Sequence, residues 1–431
     1  MRNLNLALFV FVFAGLAHAE TTAIVGATVH TVGPQGTIEN ATIIIADGRI
    51  VSVGNNAKAP DGATVIDASG KVVTPGLFTP IGSLGLVEVG FSAGPDDSGQ
   101  IGDQFTASFD VADAFNRRST LIAINRIEGI TRALIAPSPA GMDDSGNVSH
   151  IFSGLASVVN LGDGMASIDR RGVAMVVNLG ESGVDFAGGS RAAVLLTLRQ
   201  ALDEAQDYRG HGDAHERGQH SDYTYSVADL EALQGVLSGD VPLLANVDRA
   251  ADIEELISLA HEYGIRAIIV GGAEAWMLAP HLAAANIPVI VAPTANLPSN
   301  FDSLNASLKS APILAEAGVK IAFADGEITH NPRNITQWAG NATAEGLSWD
   351  EALRAITLSP AEMYGVSDRV GSLEAGKDAD IVIWPGDPLE LTNYPEQVFI
   401  KGESVEMVSR QTLLRDRYLD TDDKRPPAYR N

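Results

Sequence analysis

The sequence predicts an α/β protein: a parallel sheet or barrel flanked by β-structure drawn from both chain ends. Three observations carry this. Apolar strand-like runs in the middle of the chain recur with a helical stretch before the next one, at a spacing of roughly 25 to 30 residues. The start is a series of short β-branched runs separated by turn residues, and the end returns to the same character. A barrel of the (β/α)8 kind and a doubly wound sheet both satisfy this spacing.

The chain has 431 residues, with 29 Lys plus Arg against 54 Asp plus Glu, a formal charge of −25. That excess of acid argues against nucleic acid as a partner, because phosphate binding needs a basic surplus. No cysteine is present, which excludes disulfides, thiolate nucleophiles and Cys-ligated metal. Any metal site must therefore use His, carboxylate or carbonyl ligands.

Residues 1–19 read as an export leader: Arg2, an apolar run from Leu6 to Leu16, then Ala17-His18-Ala19 as an A-x-A cleavage signal. The run falls short of the ~20 residues that span a bilayer, so cleavage after Ala19 and a periplasmic or secreted location are expected, with no membrane span.

From Thr22 the strand candidates are Ala23–Val25, Thr42–Ala46, Arg49–Val53 and Thr64–Asp67, with Asp47-Gly48 as a hairpin turn. After Thr74-Pro75-Gly76 the pattern changes to strand then helix. Thr131–Ala136 is a strand and Arg191 to Tyr208 a helix. Val241–Asn246 precedes a helix Ala251–Tyr263, and Arg266–Val270 precedes a helix Ala273–Ala285. Pro288–Ala292 and Lys320–Ala324 follow as strands. Ala379–Trp384 and a hairpin Val398–Val408 turning at Gly402 close the pattern. The two β-rich ends can pair with each other across the central unit.

The string Val72-Val-Thr-Pro-Gly-Leu77 and the string Gly371-Ser-Leu-Glu-Ala-Gly-Lys-Asp-Ala-Asp-Ile-Val-Ile383 resemble the amidohydrolase superfamily, most closely its imidazolonepropionase-like group. Gly346–Thr357 and Ser359–Gly365 extend the resemblance, so that it covers nearly the whole mature chain. It implies a (β/α)8 TIM-type barrel at residues 76–365, a composite β-sandwich from residues 20–75 and 366–410, and a C-terminal tail at 411–431. It also implies hydrolysis of non-peptide C–N bonds in amides, cyclic amides or dipeptide-like compounds, with a divalent metal such as zinc as cofactor.

The family's first barrel strand ends in Asp-x-His-x-His, since alternate residues of one strand point two imidazoles into the barrel mouth. Here Ile81 and Ser83 take the two His positions, Asn246 stands where a third His ends a later strand, and Gly272 falls where a fourth would be. Neither an alkyl group nor a neutral hydroxyl replaces imidazole. The resemblance carries over one acid, Asp325, as the general base, with Glu327 as the fallback register; an Asp-Gly after a strand is also an ordinary turn. Asn246, Asp248, Glu274 and Glu327 are candidate substrate-binding residues at strand ends, and a paired-carboxylate mechanism needs only two such acids facing each other.

The segment His211 to Asp222 holds three His and three acids. Its glycines Gly210, Gly212 and Gly218 favour a solvated loop after a helix ending near Tyr208, while a helical reading would put His211 and His215 on one face. No metal ligand is assigned there. Two functions follow: an exported C–N hydrolase, or a non-catalytic barrel that binds a small-molecule ligand or pairs with a catalytically complete homologue. Self-association into a homo-oligomer is compatible with either.

Overall fold

The computed structural model describes residues 21–88, 96–100, 105–139, 150–325 and 331–419. The leader and Glu327 lie outside the described residues. The chain opens with β1 (Thr22–His30), β2 (Thr37–Ala46), β3 (Arg49–Gly54), β4 (Thr64–Asp67) and β5 (Val72–Pro75). The barrel strands follow: β6 (Leu77–Gly82), β7 (Ile130–Ile135), β8 (Phe152–Asn160), β9 (Ile168–Asn178), β10 (Leu243–Val247), β11 (Ala267–Gly271), β12 (Val289–Val291) and β13 (Ile321–Phe323). The chain ends with β14 (Ile381–Trp384), β15 (Gln397–Ile400) and β16 (Glu403–Ser404).

The two ends of the chain form one flanking β-unit. Its strand order is β16-β15-β14-β5-β1-β2-β3, with β4 also on β1, and β14 pairs antiparallel with β5 from Ile381↔Pro75 to Trp384↔Val72. The Asp47-Gly48 turn joins β2 to β3, with both residues at positive φ, as a tight hairpin requires. The sandwich core is aliphatic, from Ile24, Ile43 and Val73 of the N-terminal part and Ile381, Ile383 and Phe399 of the C-terminal part.

The barrel strands run in sequence order from β6 to β13, and β13 returns to lie against β6. The segment Leu358–Met363 packs across that junction, and Tyr364 Oη donates to the Pro80 carbonyl. Phe78, Leu134, Val176, Leu244, Ile268, Ile290 and Ala322 point inward from successive strands and fill the barrel as a packed core. One strand departs from a strict (β/α)8 pattern. β8 runs antiparallel to both β7 and β9, and the loop 161–167 that joins it to β9 is too short for the crossover that a parallel neighbour requires.

Two helices differ from the sequence reading. The helix Arg191–Glu216 continues two turns past Tyr208, through Gly210 and Gly212. Interior glycine costs a helix about 1 kcal/mol. The extension is held by packing on the helix Val227–Leu237, including Arg209 Nε donating to Gln234 Oε1 at 2.9 Å. The expected helix Ala273–Ala285 is a 3-10 turn Ala275–Leu278 followed by a helix Ala279–Ala285, whose first turn takes Pro280. Proline lacks the N–H that a continuous helix would use there.

Barrel and sandwich are joined by a buried ion network. Arg132 of β7 is 1% exposed and reaches Asp169 at 2.9 Å, Asp378 at 3.2 Å and Asp380 at 2.8 Å. Arg369 balances Asp378 and Lys401 balances Asp169, each at 2.8 Å, so three bases meet three acids. Replacing Arg132 by Ala leaves carboxylates buried without their central partner, and is expected to cost about 3–5 kcal/mol. Urea unfolding of Arg132→Ala checks this; a loss under about 1 kcal/mol would show that the network does not hold the two units together.

Candidate functional site at the barrel mouth

A cavity of about 280 Å³ opens over the C-terminal ends of β10 to β13. Its floor includes Ile81, Val270 and Ile290, and its polar groups include Asp248, Asp325 and Ser310. The barrel fold dictates this placement. Residues just past the strand ends project into the mouth, where loops leave room above the packed core.

Asp325 lies two residues beyond β13 and accepts a hydrogen bond from Thr294 Oγ1 at 2.8 Å. Asp248 lies just past β10, and Asp248 Oδ1 accepts the Ala273 N–H at 3.1 Å. Burial pushes the Asp248 carboxyl above its ordinary value, and the nearby Asp302 and Glu274 charges push it the same way. The Ser310 hydroxyl lines the cavity and has no hydrogen-bond partner among the described residues. Sequence reasoning passed over Thr294 and Ser310. A hydroxyl following a strand or opening a helix carries no signal until the neighbouring loop is in place.

Asn246 and Glu274 do different work from that expected. Asn246 Nδ2 donates to Asn178 Oδ1 at 2.8 Å, in register across β9 and β10, and Asn178 in turn donates to Ser153 Oγ at 2.9 Å. This amide ladder ties strand ends together. Glu274 Oε2 accepts the Ala250 N–H at 2.9 Å, capping the helix Ala250–Tyr263, and Oε1 accepts from Asn305 Nδ2 at 2.7 Å. Neither residue lines the cavity.

Among the described residues, the side chains at this mouth do not fit a histidine-based metal cage. Ile81 lines the cavity with an alkyl side chain, and Ser83 is buried beside it with a hydroxyl. The turn after β11 disfavours a side chain. Gly271 and Gly272 sit at φ +88° and +60°, and a Cβ on Gly271 would stand 2.5 Å from Asp248 Oδ1. On Gly272 a Cβ would meet Ala275, Ile269 and Val289 at 3.0 Å. A side chain on Gly271 would therefore have to displace the Asp248 carboxylate.

The architecture is thus a barrel flanked by a two-ended β-sandwich, with polar groups gathered past the strand C-termini. The amidohydrolase family model matches residues 200–405. An amidohydrolase from Thermotoga maritima superposes with a TM-score of 0.79 at 26% identity, over 89% of this chain and 99% of that one. Amidohydrolase tasK of Hapsidospora irregularis is 24% identical over 389 residues, which is 84% of this chain but 39% of that longer protein. An imidazolonepropionase from Erwinia tasmaniensis is 42% identical over 67 residues, 14% of this chain and 16% of that one. By these matches the chain is similar to amidohydrolases in sequence and in fold.

The raised pKa of Asp248 has a consequence for stability. A buried acid whose folded pKa lies above its unfolded value contributes stability at low pH, and that contribution is lost as the pH rises through the folded value. Asp248→Asn removes the ionised form while keeping an acceptor for Ala273. Its stability is expected to exceed that of the wild type at pH 7.5, with the gap closing as the pH falls toward about 4. Urea unfolding at both pH values tests this, and a variant weaker than wild type at pH 7.5 would contradict the assignment.

Proposed function

We propose that the chain hydrolyses a C–N bond of a small amide, cyclic amide or dipeptide-like compound at the barrel mouth, using two carboxyl groups in place of a histidine-held metal. The observation that carries this reading is that Asp248 and Asp325 line one cavity from different strands while the histidine positions around it are filled by Ile81, Ser83, Asn246 and glycine. Asp325, hydrogen-bonded by Thr294, takes a proton from the attacking water as its oxygen bonds to the carbonyl carbon. Asp248, whose carboxyl burial pushes above its ordinary value, gives a proton to the leaving nitrogen as the C–N bond breaks. Ser310 supplies a hydrogen bond to the substrate's polar group, and Ile81, Val270 and Ile290 take its apolar body. As part of the same proposal, the protein works outside the cytoplasm after loss of residues 1–19, supported by the apolar run and the A-x-A signal.

A second reading is binding without turnover, as a ligand carrier or as the partner of a complete homologue. The turn at Gly271 favours it, since a metal-binding side chain there would need a left-handed backbone and a shift of Asp248. A panel of N-acyl amino acids, cyclic amides and dipeptides separates the two. Turnover is expected for at least one member, falling about 100-fold or more in Asp325→Asn. Its alkaline limb is expected to flatten in Asp248→Asn. Thermal stabilisation by a panel member, lost in both variants and without turnover in the wild type, would replace the hydrolase reading by the binding one.

A further inference from the structure

The C-terminal end of the helix Arg191–Glu216 carries a second cluster of ligating side chains, on a segment separate from the residues lining the barrel-mouth cavity. Asp207 and His211 lie one turn apart on the helix, and His211 Nδ1 is 3.0 Å from Asp207 Oδ1. The chain reverses at Gly218, whose φ of +66° and N–H bond to the His215 carbonyl end the helix. That reversal brings His220 back, with Nε2 3.2 Å from Asp207 Oδ2. The His211 and His220 rings lie nearly parallel at 21° with centroids 5.2 Å apart, so both present their edges to the same carboxylate. One ligand atom from each of the three residues lies within 4.8 Å of the others.

The hydrogen bonds orient these groups. His220 Nδ1 is 3.0 Å from the Ser221 carbonyl, a contact that holds the ring with Nε2 toward Asp207 Oδ2. Tyr223 donates its hydroxyl to Asp207 Oδ2 at 2.7 Å and stacks on His220 at 5.2 Å, which fixes both ligands from outside.

We propose that Asp207, His211 and His220 bind a divalent first-row transition metal of the zinc class. Two imidazoles and one carboxylate suit zinc, cobalt or nickel, whereas magnesium and calcium prefer oxygen ligands. Zinc bonds of about 2.0–2.2 Å set ligand atoms roughly 3.5 Å apart, so the Asp207 pairs at 3.0 and 3.2 Å open slightly to admit the ion, a change that small side-chain rotations on an exposed helix end supply. The remaining coordination positions go to water. Bound metal clips the end of the long helix to the segment that leads through Tyr223 into the helix Val227–Leu237. His215 takes no part: its ring packs on Tyr223 at 4.9 Å.

The test is equilibrium dialysis of the untagged chain against micromolar zinc with millimolar magnesium present, with bound zinc read by elemental analysis. About one zinc per chain is expected in the wild type, in His261→Ala on another helix, and in Asp325→Asn at the barrel mouth. His211→Ala and His220→Ala should each bind at least about tenfold more weakly, with unchanged far-ultraviolet circular dichroism. Asp207→Asn serves as a further ligand variant if either histidine variant misfolds. Zinc retention equal to wild type in the ligand variants, loss of zinc in Asp325→Asn alone, or no zinc in the wild type would each overturn the assignment.

Discussion

The guanidinium of Arg132 is the constraint on which the arrangement of the two structural units depends. It is buried on a barrel strand, and its carboxylate partners come from the start of β9 and from the segment entering β14. A buried charge is tolerated only when its attraction to fixed partners and its hydrogen bonds offset the lost hydration. Arg369 and Lys401 bring the local charge to balance, and the Lys401 N–H adds a bond to Asp380 Oδ1 at 2.9 Å. The network therefore sets how the C-terminal part of the sandwich sits against the barrel wall. Trp384 adds a second tie inside the sandwich by donating its indole N–H to Thr74 Oγ1 at 3.0 Å.

With the base of the barrel held in this way, chemistry is left to the opposite end. The interior is packed with Phe78, Leu134, Val176 and their neighbours, so a ligand can enter only above that layer, where strand ends give way to loops. Polar groups there divide between structure and site. Arg191 gathers Glu181, Asp252 and Asp302 into one cluster that fixes the loops after β9, β10 and β12. Glu274 and Asn246 are likewise consumed in holding backbone or strand ends. Asp248 and Asp325 remain on the cavity, and they differ in setting: one is buried against other acids, the other is bonded by a threonine hydroxyl.

The amino-acid sequence by itself determined the succession of elements: period-2 runs at both ends and strand-then-helix repeats between them express local hydrophobic periodicity. That periodicity fitted a barrel or a doubly wound sheet, and the resemblance carried by the motifs around Pro75-Gly76 and Asp378–Ile383 implied the barrel with a two-ended sandwich. Substitution of Ile81 and Ser83 for histidines could also be read directly, since ligand chemistry belongs to the side chain.

Tertiary structure decided what depends on distance along the chain. That β8 runs antiparallel, that the long helix passes through Gly210 and Gly212, and that Glu274 caps a neighbouring helix all follow from packing that outweighs local preference. The role of Gly271 became visible only when Asp248, from another strand, was found in the space its side chain would fill. The pairing of His220 with Asp207 and His211, rather than of His211 with His215, required the chain reversal at Gly218. Local periodicity encodes which face a residue presents, but which residue from elsewhere meets that face is set by the closed fold.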